Sequence, residues 1–210
     1  MPMTTGLMPR GLAAALTLAS VLGSVAWAQQ PPAPTVRIRG TIESVDGAVL
    51  MIKSREGTDM KVRMTDNVAV FGVTKTALSE IKEGSYIGVT AMPEPDGTQK
   101  AVAVHIFPEN QRGAAEGFRP WDQRAGSTMT NATVAQTVKG TDGQNILVKY
   151  KDGEKKVVVP EGTTIVTFVA GDKSDLKAGA KVIAFMKKLP DGSFETNRVS
   201  VGRDGLTPPM

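Results

Sequence analysis

One histidine, no cysteine and a single arginine-rich segment hold most of the chemistry this chain can offer. His105 stands just before the stretch Phe107 to Asn131, FPENQRGAAEGFRPWDQRAGSTMTN, which carries Arg112, Arg119 and Arg124, the acids Glu109, Glu116 and Asp122, and Trp121, the one tryptophan after position 28. Guanidinium forks beside an indole suit a carboxylate or phosphate. Arg112, Glu116, Arg119, Trp121 and Asp122 are therefore the candidate ligand-binding residues. The same side chains also fit a purely structural role, with Phe118 and Trp121 packed as a latch and the arginines paired to the neighbouring acids. A second chemistry is metal binding. One histidine without cysteine cannot build a closed structural zinc site, but His105 with Glu109 or Glu116 could hold a divalent ion, and His105 with Glu109 and Met129 a cuprous ion. A strand-end histidine bonded to backbone is the simpler alternative.

Recognisable catalytic patterns are lacking. No Gly-x-Ser-x-Gly accompanies His105, and Gly171-Asp172-Lys173-Ser174 lacks the upstream glycine of a phosphate loop. The Asp-Gly pairs lack the spaced oxygens of a calcium loop. The expectation is a noncatalytic protein without a cofactor.

The elements that must position these residues come in duplicate. Gly40-Thr41-Ile42 to Gly57 is answered by Ala132-Thr133-Val134 to Gly153, Gly84 by Gly179, and Pro95-Asp96-Gly97-Thr98 by Pro190-Asp191-Gly192-Ser193. In each copy short Val, Ile and Met runs, such as Met60, Val62 and Met64 alternating with Lys61 and Arg63, are separated by Asp-Gly or Glu-Gly pairs. This spacing predicts three strands, then a helix of one to two turns around Leu78 and Ile81 or around Leu176 stopped by a glycine, then a two-strand hairpin. Three strands, helix, two strands is the OB-fold plan. An SH3-like barrel, which would have no true helix there, is the competitor. The fold class expected is all-β with short helices, as two tandem OB-fold-like five-stranded barrels in contact with each other. The boundaries are 36–107 and 132–203, joined by an ordered connecting segment at 108–131 and followed by a loose tail at 204–210. The methionines at 51, 60, 64, 92 and 186 and the aromatics Phe71, Tyr86, Phe168, Phe185 and Phe194 are expected in cores.

Residues 1–28 have the pattern of an export signal: Arg10, an apolar run from Gly11 to Val25, and Ala26-Trp27-Ala28 as a small-residue cleavage site. A proline-rich lead, 29–35, follows. Cleavage implies a periplasmic or secreted product with no stable membrane insertion. The formal net charge of +4 falls by one with Arg10. The excess sits on lysines of the second copy, Lys149, Lys151, Lys155, Lys156, Lys187 and Lys188, which suit a solvated strand face. Nucleic acid is not expected, because no stacking aromatics interleave with these charges.

Arg39-Gly40-Thr41-Ile42-Glu43-Ser44-Val45-Asp46-Gly47 and Ile81-Lys82-Glu83-Gly84-Ser85-Tyr86-Ile87-Gly88-Val89 resemble a family of secreted bacterial OB-like domains of unknown function. The intervening His105-Ile106-Phe107-Pro108-Glu109 and Arg119-Pro120-Trp121-Asp122 resemble the central segment of its two-copy members. The resemblance implies the fold and brings no activity. The function expected is periplasmic binding or interaction, with the inter-repeat segment as contact surface and a small anionic ligand or a periplasmic protein as partner. The alternative is a metal-binding or metal-delivery accessory protein.

Overall fold

The computed structural model describes residues 35–141 and 143–210. The expected export signal and nearly all of the proline-rich lead lie outside the described residues. Twelve strands follow in order: β1 Thr35–Asp46, β2 Val49–Ser54, β3 Asp59–Lys75, β4 Tyr86–Pro93, β5 Gln99–Ile106, β6 Gly117–Pro120, β7 Thr128–Gly140, β8 Gly143–Tyr150, β9 Gly153–Pro160, β10 Thr164–Ala170, β11 Lys181–Lys188 and β12 Phe194–Gly202. The all-β class expected from the alternation is what the chain adopts.

Turn chemistry repeats with the sequence. Asp96 Oδ1 accepts from the Thr98 amide at 2.9 Å and Asp191 Oδ1 from the Ser193 amide at 2.9 Å. Each aspartate thereby mimics a backbone turn, and the following Gly97 and Gly192 take φ of 84° and 82°, where a side chain would be strained. The helices expected between the third and fourth strands shrink to single 3-10 turns, Leu78–Glu80 and Lys173–Asp175. Each short linker fully buries a single side chain, Ile81 or Leu176, and so short a helix gains little from its own hydrogen bonds.

Strand pairing closes two five-membered rings inside one continuous sheet. The first runs β1-β2-β3-β12-β11 and back to β1, with β3 and β12 parallel. The second runs β7-β8-β9-β5-β4 and back to β7, with β5 and β9 parallel. Neither ring coincides with one repeat. The three-strand meander of each copy is closed by the hairpin of the other, so boundaries at 36–107 and 132–203 describe repeats of sequence and not separate barrels. The second ring is contiguous from Tyr86 to Pro160, and the first is assembled around it from Thr35–Lys75 and Lys181–Gly202.

Each ring has its own core. Ile42, Leu50, Ile52, Val62, Val182, Met186 and Val199 fill the first; Ile87, Val89, Val104, Val134, Ile146, Val148 and Val157 fill the second. Between them β10 pairs antiparallel with the far end of β3 and parallel with β5. Phe168 opposite Val73 is the centre of that contact: Val166↔Lys75 on one side is answered by Ala170↔Phe71 on the other, which is the pairing a local two-fold relation between the repeats requires. Val73, Val166, Phe168, Ile183 and Met210 make a third cluster here. The loose tail expected at the end is instead docked. Pro208 and Met210 are buried, and the main-chain oxygen of Met210 accepts from Arg39 Nε, because Met210 has an apolar surface to cover.

Candidate functional site

The inter-repeat segment is built into the fold. It leaves β5, where the Phe107 amide donates to Tyr86 O at 3.0 Å, makes a 3-10 turn at Glu109–Gln111, and adds β6 along β7 from Gly117↔Asn131 to Pro120↔Thr128. A closed loop follows, fastened by the Trp121 amide donating to Ser127 O at 2.8 Å and by Ser127 Oγ donating to Trp121 O at 3.0 Å. The order expected from Trp121 is present. The strand within it, four residues long, is too short for alternation to show in the sequence.

Trp121 is clamped by arginines from β1. The Arg37 guanidinium carbon lies 3.6 Å from the ring centroid, close enough for a cation–π contact. Arg37 and Arg39 then donate to Asp122 Oδ1 at 2.6 and 2.7 Å. Burial pushes the Asp122 carboxyl up, but the bonds from Arg39 and Arg37 outweigh it and hold the group down at about 2. Tyr86 fastens the same strap from below, its hydroxyl donating to Ala114 O at 3.2 Å. Burial, with the Glu116 charge added, pushes that phenol up to about 12.

Beneath the strap, where the two rings meet, lies a cavity of about 120 Å³. Its wall is mostly apolar, with Phe107, Phe168, Phe185, Met129, Met210, Ala114 and Ala115, and His105, Asn131, Trp121, Arg119, Arg198 and Ser200 also line it. His105 is buried with its ring 4.5 Å from that of Phe107 and 5.7 Å from that of Phe168. Room for the imidazole comes from Gly88, its partner across β4 and β5: a Cβ there would fall 2.0 Å from His105 Nε2 and 2.7 Å from Asn131 Oδ1. Burial, then the Arg198 and Arg119 charges, push the imidazole down to about 3, so it stays neutral at ordinary pH.

The two wall arginines differ from the pair on Asp122. Arg119 donates to Ala115 O at 2.8 Å and Arg198 to Gln111 Oε1 at 3.3 Å, and among the described residues neither has a carboxylate partner. Burial lowers both guanidinium pKa values. Arg198 spreads instead over Phe71 and Phe185, 4.8 and 5.5 Å from their centroids. Four wall residues also carry a buried polar atom with no hydrogen-bond partner in the protein: Trp121 Nε1, Arg198 Nε, Asn131 Oδ1 and Ser200 Oγ. Asn131 Nδ2 donates to Ala114 O at 3.0 Å, and only its nitrogen can do so. Buried polar atoms of this kind are rare and costly.

Of the five anion-site candidates, the cavity gathers Arg119 and Trp121. Asp122 lies behind Trp121, holding Arg37 and Arg39. Arg112 faces away, with Nε 2.5 Å from Glu109 Oε1, Nη2 2.7 Å from Glu109 Oε2 and Nη2 2.9 Å from Gly84 O. Glu116 accepts from the Lys151 amide at 3.1 Å. Of the metal candidates, His105 and Met129 share the wall, while Glu109 is exposed and held by Arg112. No group of three His, Cys, Asp or Glu able to hold a metal occurs among the described residues. Arg198, Asn131 and Ser200 were not singled out by their own sequence context. Their signal lies in the repeat: Arg198 and Ser200 occupy the places of Ala103 and His105 in the first copy.

No helix among the described residues is long and apolar enough to cross a membrane. Comparison with protein-family models, with curated proteins and with solved structures finds no match.

Proposed function

We propose that this chain is a noncatalytic binding protein of the periplasm whose ligand, a small anion, sits in the cavity between the rings, under the Trp121 strap. In this reading the rings are OB-type barrels that have exchanged their closing hairpins; the meander, hairpin and parallel closure of each support it. The observation that carries the binding role is the pair Arg119 and Arg198, partly desolvated beside one cavity with no carboxylate between them. An uncompensated charge taken from water is expensive to keep, and an anion offsets that cost. The test is native mass spectrometry of protein isolated from the periplasm, paired with Trp121→Ala. A co-purifying small molecule lost in the variant supports the role, and a protein found only in the cytoplasm or always empty counts against it.

The runner-up is a soft-metal accessory protein. A neutral imidazole and two thioethers, His105, Met129 and Met210, line one wall, and such donors select cuprous ion. Two guanidinium charges beside the same wall oppose a cation, which is why the anion is preferred. Silver ion, a redox-stable stand-in for cuprous ion, binding to the wild type and not to His105→Ala would reverse that order.

A further inference from the structure

We infer that the occupant of this cavity is a compact monocarboxylate with a branched or cyclic apolar body of roughly four to six carbon atoms, sized against cavities of roughly 150 Å³ that hold benzene. The inference rests on the binding role proposed above and narrows its ligand.

Size comes first. At about 120 Å³ the space is somewhat smaller than a benzene cavity, so the group that enters it is compact. Wall chemistry comes second. Phe107, Phe168, Phe185 and Met129 present carbon, so an inorganic anion would lose its water on that side and gain nothing in exchange. An apolar body gains from the same surface. The polar atoms come third. Trp121 Nε1 and Arg198 Nε are both donors, both buried and both without an acceptor, and the guanidinium groups of Arg119 and Arg198 add positive charge. What these two donors lack is an acceptor, while Asn131 Oδ1 in the same wall lacks a donor. A planar carboxylate supplies two acceptor oxygens and suits guanidinium forks. A second carboxylate would fall among the phenyl rings, so dicarboxylates are disfavoured.

The neighbouring cationic clamp on Trp121 is no part of the cavity wall, and its Arg37 and Arg39 share the carboxylate of Asp122. Of these four arginines only Arg119 and Arg198 line the cavity, and among the described residues only they have no carboxylate partner.

The experiment is calorimetric titration of the full chain with isovalerate, isovaleramide, succinate and phosphate, repeated on R119Q and R198Q. Saturable binding of isovalerate is expected, with isovaleramide and succinate each at least tenfold weaker and isovalerate weakened at least tenfold in either variant. The amide comparison needs no variant, so misfolding of R198Q leaves the test intact. Isovaleramide binding as tightly as isovalerate overturns the inference. Phosphate binding that depends on Arg119 while isovalerate does not bind also overturns it, yet leaves the wider anion-binding role standing. Silver ion binding with none of the four titrants recognised overturns both.

Discussion

The two rings present the same backbone position to the junction in opposite ways. In the second ring Gly88 lies between His105 on β5 and Asn131 on β7; in the first, Ile183 lies between Ser200 on β12 and Arg39 on β1. One side is an empty glycine overlaid by a large ring, and the other is a filled aliphatic beside a small hydroxyl. Arg39 is then drawn off to Asp122 and Met210. The bulges nevertheless recur in both rings, at Thr90/Ala91 and Phe185/Met186, and at Ile42/Ser44 and Val134/Gln136. The ladders agree between the two rings, while these positions beside the cavity differ in size and charge.

Ile183→Ala breaks the comparison hardest. Ile183 is fully buried at the inter-ring cluster, so truncation removes packing and enlarges the junction space, at a cost of about 3 kcal/mol, read by urea unfolding. Gly88→Ala comes next. Its Cβ would meet the imidazole, and overpacking of this kind costs about 2 kcal/mol. The same substitution in a His105→Ser background should cost much less, and an equal cost in both backgrounds would show that His105 is not what Gly88 accommodates.

The third prediction is pH-dependent. The folded imidazole sits at about 3 against an ordinary 6.5, so the unfolded chain binds the extra proton first as pH falls. Stability from this group is complete above about pH 6.5 and declines toward pH 3, by at most about 1.4 kcal/mol per pH unit. His105→Gln should flatten that part of the profile, leaving a lower window, from the ordinary 3.8 down to about 2, for Asp122. Asp122→Asn is the mildest change. Its carboxylate is half exposed, and pairs of that kind contribute about 1 kcal/mol or less. It should also loosen Trp121, seen as a red shift of indole emission. No shift would mean that Arg37 holds the ring unaided.

Much of the fold was legible because turns and alternation are local. Pro-Asp-Gly and the Met60, Val62, Met64 run marked strands that the chain forms. The hairpin exchange was not legible. Alternation tells which face of a strand is buried, and that face is buried whether a hairpin closes its own ring or the other. One hint was present in the length of β3, which runs unbroken from Asp59 to Lys75, where the second copy divides at Glu161-Gly162 into β9 and β10. At the site, Arg119 and Trp121 were readable because large side chains in an irregular segment stand out. Arg198 was not, since a single arginine in a strand resembles any solvated face until it is set beside Ala103 of the first copy.

The nesting of one ring within the other has a consequence for the order of synthesis. Residues 86–160 contain every strand of the second ring, so its closure needs nothing made later. The meander at 35–75 emerges earlier yet has no closing partner until residues 181–202 follow, and in that interval β1 and β3 offer bare edges to any other chain nearby. β1 to β3 are made before the strands that seal them, so in an emerging chain residues 35–75 are the stretch most open to edge-to-edge association.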